Sequence, residues 1–425
     1  MLKALGNVFK IKELRRKVLF VIAMMVVYRL GAHVPVPGVD VSVIKKVMFG
    51  GEGAMGGVFN FLDLFAGGAL RNFTVFAMSI TPYITASIIL NLLTVVIPKL
   101  EELSKQGNEG KKKIAQYTRY GTVVLATIQG IGITSLINSY GAIRNPNLFN
   151  LAVIVITLTA GTAFLMWLGE QINEKGIGNG ISIIIFTSII SRFPGSLYKT
   201  WELYRAGSVT ILNIGLFIAL AILIIAGVIF IQQGERRIPV QYSKRVVGRK
   251  VYGGRSTHIP MKINQAGVIP VIFASSVLMF PGVIAKVLPF DWASSIAQMI
   301  RPGSTLYMVV YGLMILFFTY FYTAITFNPE EVAENMKKQG GFIPGIRPGQ
   351  ATIEYLDKIL VRVTLAGALF LTAVALLPFA MQPLTGIETI RFGGTSLLIM
   401  IGVALQTMQQ IESHLLMRHY EGFMK

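Results

Sequence analysis

The sequence predicts an all-α fold, that of a polytopic membrane protein with ten spanning helices, and three observations predict it. Hydrophobic residues make up 53% of the 425 and charged residues only 14%, where an ordinary soluble domain carries roughly a quarter charged. Ten predominantly apolar stretches approach the ~20 residues that cross a bilayer as a helix. Short motifs in the first five stretches recur in the last five.

The stretches fall near residues 18–36, 74–97, 118–140, 151–168, 178–193, 211–231, 266–288, 305–327, 361–380 and 395–411. The opening MLKALGNVFKIKELRRK is basic like the flank of a secretory signal. The apolar run behind it lacks a small-residue cleavage pattern, so it reads as a retained first span. With the amino terminus in the cytoplasm, alternation puts both termini and the loops after spans two, four, six and eight on one side. That side holds 28 of the 39 Lys and Arg, the excess expected of a cytoplasmic face. The densest part is QQGERRIPVQYSKRVVGRKVYGGRSTHIPMK, between spans six and seven, with eight basic residues against one acidic. Its alternating Val, Tyr and Ile positions predict a β-hairpin. The charge suits an anionic partner as well as it suits plain topogenic retention.

The recurrences fix an architecture. TPYITASIIL (81–90) matches IPVIFASSVL (269–278) at Pro82/Pro270, Ile84/Ile272, Ala86/Ala274, Ser87/Ser275 and Leu90/Leu278. GISIII (180–185) matches GTSLLI (394–399) at Gly180/Gly394, Ser182/Ser396 and Ile185/Ile399. Span two is thus echoed in span seven and span five in span ten. An offset of five spans inverts the second copy, giving two five-helix halves related by an axis in the membrane plane. The expected division is 1–193, an external hinge at 194–210 opening with Pro-Gly, and 211–425, which carries cytoplasmic loops at 232–265 and 328–360.

Several function classes fall away. There is no cysteine, and four scattered histidines (33, 258, 414 and 419) make no ligand cluster. No HExxH, paired intramembrane aspartates or phosphate-cradling GxxxxGK[ST] occurs, so neither an intramembrane hydrolase nor a nucleotide-driven pump is indicated. Ionisable groups in spans mark ion pathways, yet only Arg29, His33 and Glu170 come near one. A small-solute transporter shares the inverted repeat but would want a more polar interior.

The repeated segments supply isoleucine instead. Ile80, Ile84 and Ile88 follow the i, i+4 spacing of one helical face, as do Ile181 and Ile185, with Ile272 and Ile399 at echoed places. Such residues serve either as packing filler or as an aliphatic constriction that dries when narrow. Between spans one and two, VFNFLDLFAGGAL (58–70) is apolar but too short to span. It reads either as a static half-helix or as a mobile stopper pivoting at Gly67-Gly68.

Five longer motifs, QYTRYGT (116–122), GEQINEKGIGNGISIIIF (169–186), RSTHIPMKINQAGVIPVIFASS (255–276), FNPEEVAENMKKQGGFIPGIRPG (327–349) and FGGTSLLI (392–399), resemble the bacterial SecY family. The resemblance covers essentially the whole chain. It implies the main channel subunit of a protein translocase in the bacterial plasma membrane, with both termini cytoplasmic, an hourglass pore, no catalytic activity and no cofactor. Carried over by motif, the pore ring becomes Ile80, Ile84, Ile181, Ile185, Ile272 and Ile399. The plug becomes Phe59, Phe61, Leu62, Leu64, Phe65, Gly67 and Gly68.

A lateral gate, through which transmembrane segments leave sideways into membrane lipids, would include Thr85, Asn91, Gln129 and Phe280. The resemblance also implies partners: SecE, SecG, the SecA motor ATPase, the ribosome, signal peptides and nascent chains. Arg236, Arg237, Lys244, Arg245, Arg249, Lys250 and Arg347 match the region that docks the ribosome or motor. The chain departs from the family's pattern in its short carboxyl tail, HYEGFMK.

Overall fold

A computed structural model describes residues 11–49, 63, 65–242, 245–247, 250–252, 256–287, 304–385 and 394–423. In chain order its helices are α1 (Lys12–Gly31), α2 (Val41–Phe49), α3 (Thr81–Val96), α4 (Pro98–Lys105), α5 (Gly107–Ser139), α6 (Leu148–Lys175), α7 (Gly180–Arg205), α8 (Ile211–Gln233), α9 (Ile269–Val287), α10 (Thr305–Thr326), α11 (Pro329–Lys338), α12 (Gln350–Thr385) and α13 (Gly394–Phe423). Five strands complete the order: β1 (Glu235–Tyr242), β2 (Arg245–Val247), β3 (Lys250–Tyr252), β4 (Ser256–Lys262) and β5 (Gly341–Phe342). Each of the ten predicted stretches coincides with a long helix: α1, α3, α5 to α10, α12 and α13. Among the described residues, six helices are spans on length and composition alone, and the bent pair α3–α4 makes a seventh. Charges dilute α1, whose first turns carry Glu13, Arg15, Arg16 and Lys17.

Two predicted boundaries are corrected. Span two does not start at 74: residues 67–80 form successive turns, with Phe73 and Ser79 at φ 44° and 53°, and α3 begins at Thr81 with Pro82 in its first turn. Proline suits that place because its fixed φ is helical and its missing N–H would have no partner there. Pro98 ends the span at the other side. Ile97 is extended, and the chain turns by 100° into α4, since a residue before proline is pushed out of the helical region. The link after span five is also not the loop that Pro194-Gly195 suggests. α7 runs through Pro194 to Arg205, leaving only residues 206–210 outside helix.

The chain divides into two compact units. The first comprises Met1–Ser208, Leu278–Ser304 and Ile399–Lys425. Within it α3 packs on α5, α5 on α6, and α6 on α7, with α1 against α6 and α7. Its centre is α6, where Ile154, Leu158, Gly161, Leu165, Leu168 and Ile172 are all buried. Their alternating spacing of four and three is that of a single helical stripe. Gly161 permits the closest approach: a Cβ there would lie 1.9 Å from the Val75 carbonyl oxygen.

The second unit comprises Val209–Val277 and Thr305–Leu398. In it α12 packs on α8 and α10, and Phe273 of α9 meets Phe318 of α10 edge to face at 5.7 Å. The expected hairpin is present in two tiers. β1 pairs with β4, placing Ile238 opposite Ile259, and β2 pairs with β3 beyond them. β5, from the loop between α10 and α12, adds to the free edge of β1 through Gln241 and Phe342. The long loops 232–265 and 328–360 are therefore one module, built around Ile238, Val240, Met261, Ala333, Met336, Ile343 and Leu356.

Candidate functional site

Five of the six ring isoleucines belong to the first unit and Ile272 to the second. Ile80 caps α3 and is buried, as are Ile185 and Ile399. Ile84, Ile181 and Ile272 are partly exposed. The Ile84 N–H donates to the Ile80 carbonyl at 3.0 Å, so the i, i+4 relation holds even though Ile80 precedes the helix proper.

The start of α7, which carries Ile181 and Ile185, is fixed with little slack. Asn179 caps it by accepting from the Ser182 N–H at 3.2 Å, as a short polar side chain does at a helix start. Asn173 Oδ1 accepts from the Gly180 N–H at 2.7 Å, and Gln410 Oε1 from the Gly178 N–H at 2.7 Å. Gly178 has φ 92°, a conformation disfavoured for other residues. Gly180 lies so close to α6 that a Cβ would stand 2.0 Å from the Gly169 carbonyl oxygen. Gly180 of GEQINEKGIGNG is therefore a contact between backbones, whereas Gly169 and Gly178 lie under the side chains of Ile181 and Ile183, and sequence reading assigns no role to Asn173 or Gln410.

Of the residues expected in a plug, Phe59, Phe61, Leu62 and Leu64 lie outside the described set, while Phe65, Gly67 and Gly68 are described, at the base of that segment. Gly67 and Gly68 have φ 62° and 92°, and a Cβ on Gly67 would come 2.9 Å from Ser188 Cα. Polar groups from three directions hold this base. The Tyr28 hydroxyl stands 2.6 Å from Ser188 Oγ and 3.2 Å from the Ala66 carbonyl. Arg29 Nη1 donates to the Gly67 carbonyl at 3.1 Å, and Ser79 Oγ to the Phe65 carbonyl at 2.9 Å. Asp63, wholly buried, has its Oδ2 3.3 Å from Arg192 Nη1. Sequence reading misses Asp63, Ser188 and Arg192. The available signal is one carboxylate inside an otherwise apolar run.

The gate residues divide. Thr85 is buried, and its hydroxyl donates to the Thr81 carbonyl one turn back in α3 at 3.0 Å. Asn91 and Gln129 are partly exposed. Phe280 lies within α9, and its side chain is outside the described residues. A pair that the sequence leaves unassigned, Arg119 of α5 and Glu170 of α6, meets at 2.7 Å.

Of the basic residues, Arg236 and Arg237 are exposed on β1, with Arg237 Nε 2.8 Å from Glu235 Oε1. Arg245 and Lys250 take strand positions in β2 and β3, and Lys244 and Arg249 lie outside the described residues. Arg347 is exposed in the turn after β5, its carbonyl accepting from Thr352 Oγ1 at 2.9 Å. On α4, the hydrogen bond and charge of Glu101 hold the Lys105 pKa above the ordinary lysine value.

The family model for SecY matches residues 74–408. The chain is 50% identical to the protein translocase subunit SecY of Halalkalibacterium halodurans and 48% identical to that of Streptomyces galbus, in each case over all of both chains. It is 45% identical to that of Thermotoga maritima, over 100% of this chain and 98% of the relative. Among solved structures, that of a protein-conducting channel superposes with a TM-score of 0.66 at 18% identity, covering 94% of this chain and 92% of the other. Sec61 in a canine ribosome–channel complex from the endoplasmic reticulum gives 0.63 at 16% identity, over 94% and 92%. Fold and site together thus define a multi-pass membrane protein of the protein-conducting channel class. The chain belongs to the SecY family and is a channel subunit of a protein translocase.

Proposed function

We propose that this chain is the central subunit of the channel in a bacterial plasma membrane, with both termini cytoplasmic and two inverted halves meeting at the pore. In this reading Ile80, Ile84, Ile181, Ile185, Ile272 and Ile399 form the constriction. Branched aliphatic side chains give an ion nothing to replace its hydration shell, and they can close around any passing polypeptide. Residues 58–70 stop the pore from outside at rest. Thr85, Asn91, Gln129 and Phe280 border the lateral exit, where an apolar signal sequence competes with contacts between helices. The basic sheet module receives the ribosome or the SecA motor, and SecE and SecG complete the complex.

The observation that carries this reading is the short apolar segment before α3: α1 holds its base by hydrogen bonds from Tyr28 and Arg29, and α7 by the ion pair of Arg192 with Asp63. The test is positional. A cysteine replacing Ile84 or Ile272 should form a disulfide with a cysteine in a stalled translocating chain, whereas one replacing Leu223, which is 67% exposed on α8, should not. Equal crosslinking at all three positions, or none at the first two, would place the pathway elsewhere.

A further inference from the structure

We infer that Asp63 and Arg192 form an ionic latch that holds the base of the plug against α7 in the closed channel, making both positioning residues of the seal. The inference rests on the plug reading above. Asp63 is 0% exposed, and a carboxylate is buried as an ion only where cations and donors replace its water. Here Arg192 Nη1 lies 3.3 Å from Oδ2, and Oδ1 accepts from the Arg71 N–H at 3.0 Å. Burial pushes the Asp63 pKa up, and the charge of Arg192, with the N–H and charge of Arg71, opposes it. The latch is built into α7 with its neighbour, because Ser188 and Arg192 are one turn apart and so share a face. Ser188 meets Tyr28, which meets the Ala66 carbonyl, while Arg29 meets the Gly67 carbonyl.

These contacts are of two kinds. Those from Tyr28 and Arg29 reach backbone carbonyls and would hold a segment of any sequence. The contact between Asp63 and Arg192 alone depends on a side chain of the segment, so it is the one that can make this plug specific to its seat. It is also suited to release. While the base is closed, the wholly buried carboxylate cannot be left without the guanidinium, whose own side chain is 28% exposed. Once the segment moves into water, carboxylate and guanidinium are each rehydrated and separation is no longer opposed.

The test uses the purified channel complex in planar bilayers, with resting ion conductance as the readout and the deletion of residues 60–68 as the reference for an unplugged pore. Arg192→Gln strands a buried carboxylate and should raise resting conductance on the order of tenfold. Arg192→Lys should stay within about twofold of the parent, because a cation remains in place. The double variant Asp63→Asn with Arg192→Gln should leak less than Arg192→Gln alone but more than the parent, since no charge is stranded and no latch remains.

Should Arg192→Gln fail to assemble, the double variant carries the test, and a conductance equal to the parent's overturns the latch. If the deletion leaks and none of the point variants does, the latch is wrong and the plug reading stands. If the deletion itself does not leak, the plug reading falls and the latch with it. A double variant that leaks as much as Arg192→Gln or more would show independent packing damage in place of a coupled pair, and would also overturn the inference.

Discussion

The base of the proposed plug and the basic sheet module use the same residue types to opposite ends. At the plug base, Arg29 and Arg192 turn inward and are matched at 3.1 and 3.3 Å by a carbonyl and a buried carboxylate. On β1, Arg236 and Arg237 face outward beside buried Ile238 and Val240. In the first region the carboxylate of Asp63 is worth what its partner supplies, because water is excluded from it. In the second a charge is screened, and it acts through the field it presents to something arriving from outside. Counting arginines cannot tell these cases apart. Burial can.

The contrast makes its largest prediction where the first unit leaves no room. Gly180→Ala drives a methyl into the Gly169 carbonyl, 2.0 Å away, and overpacking of backbone against backbone should destabilise by about 3 kcal/mol or more. The melting temperature in detergent should fall sharply. Gly195→Ala in the same helix, where nothing lies within 4 Å, should leave it unchanged or raise it slightly, because alanine is the better helix former. If both glycines tolerate alanine alike, the start of α7 is not a tight joint.

An intermediate effect is expected on the sheet module. Replacing Arg236 and Arg347 with Glu should weaken ribosome docking and flatten the dependence of log affinity on log salt by about one unit for each phosphate that the module ceases to neutralise, with no change in melting temperature. A shift in stability with an unchanged salt slope would move these residues from the outward class to the inward one. The smallest effect is expected at Thr85→Val. Its hydroxyl is already satisfied by the Thr81 carbonyl in its own helix, so signal-dependent translocation should change by less than about twofold. A larger change would reveal a bond across the gate and sharpen the division from the other side.

How much of this can be read from the chain follows from the range of the interactions involved. The ten spans are legible because lipid demands a continuous apolar run, and the β1–β4 hairpin because alternation is local. The start of α3 is hidden because the turns at 67–80 are as apolar as a helix. Left-handed Gly67, Gly68, Phe73 and Ser79 separate them from one, and composition does not record φ. Pro194 reads as a break, yet the helix continues around it for eleven further residues. The pair Asp63–Arg192 and the joining of β5 to β1 each bring together residues more than about ninety positions apart, and no periodicity reports such a meeting. The isoleucine positions are visible as a pattern, but without the resemblance they cannot be told from packing filler.

α7 also has a mechanical meaning. It carries Ile181 and Ile185 at one end and Ser188 and Arg192 further along, and at 1.5 Å per residue Ile181 and Arg192 are about 16 Å apart on a single rod. A helix of this kind is stiff along its axis over such a distance. Under the proposed reading, a wedge driven between the isoleucines would tilt the lever on which the latch is mounted, and the widening of the throat and the loosening of the stopper would be one displacement measured at two points.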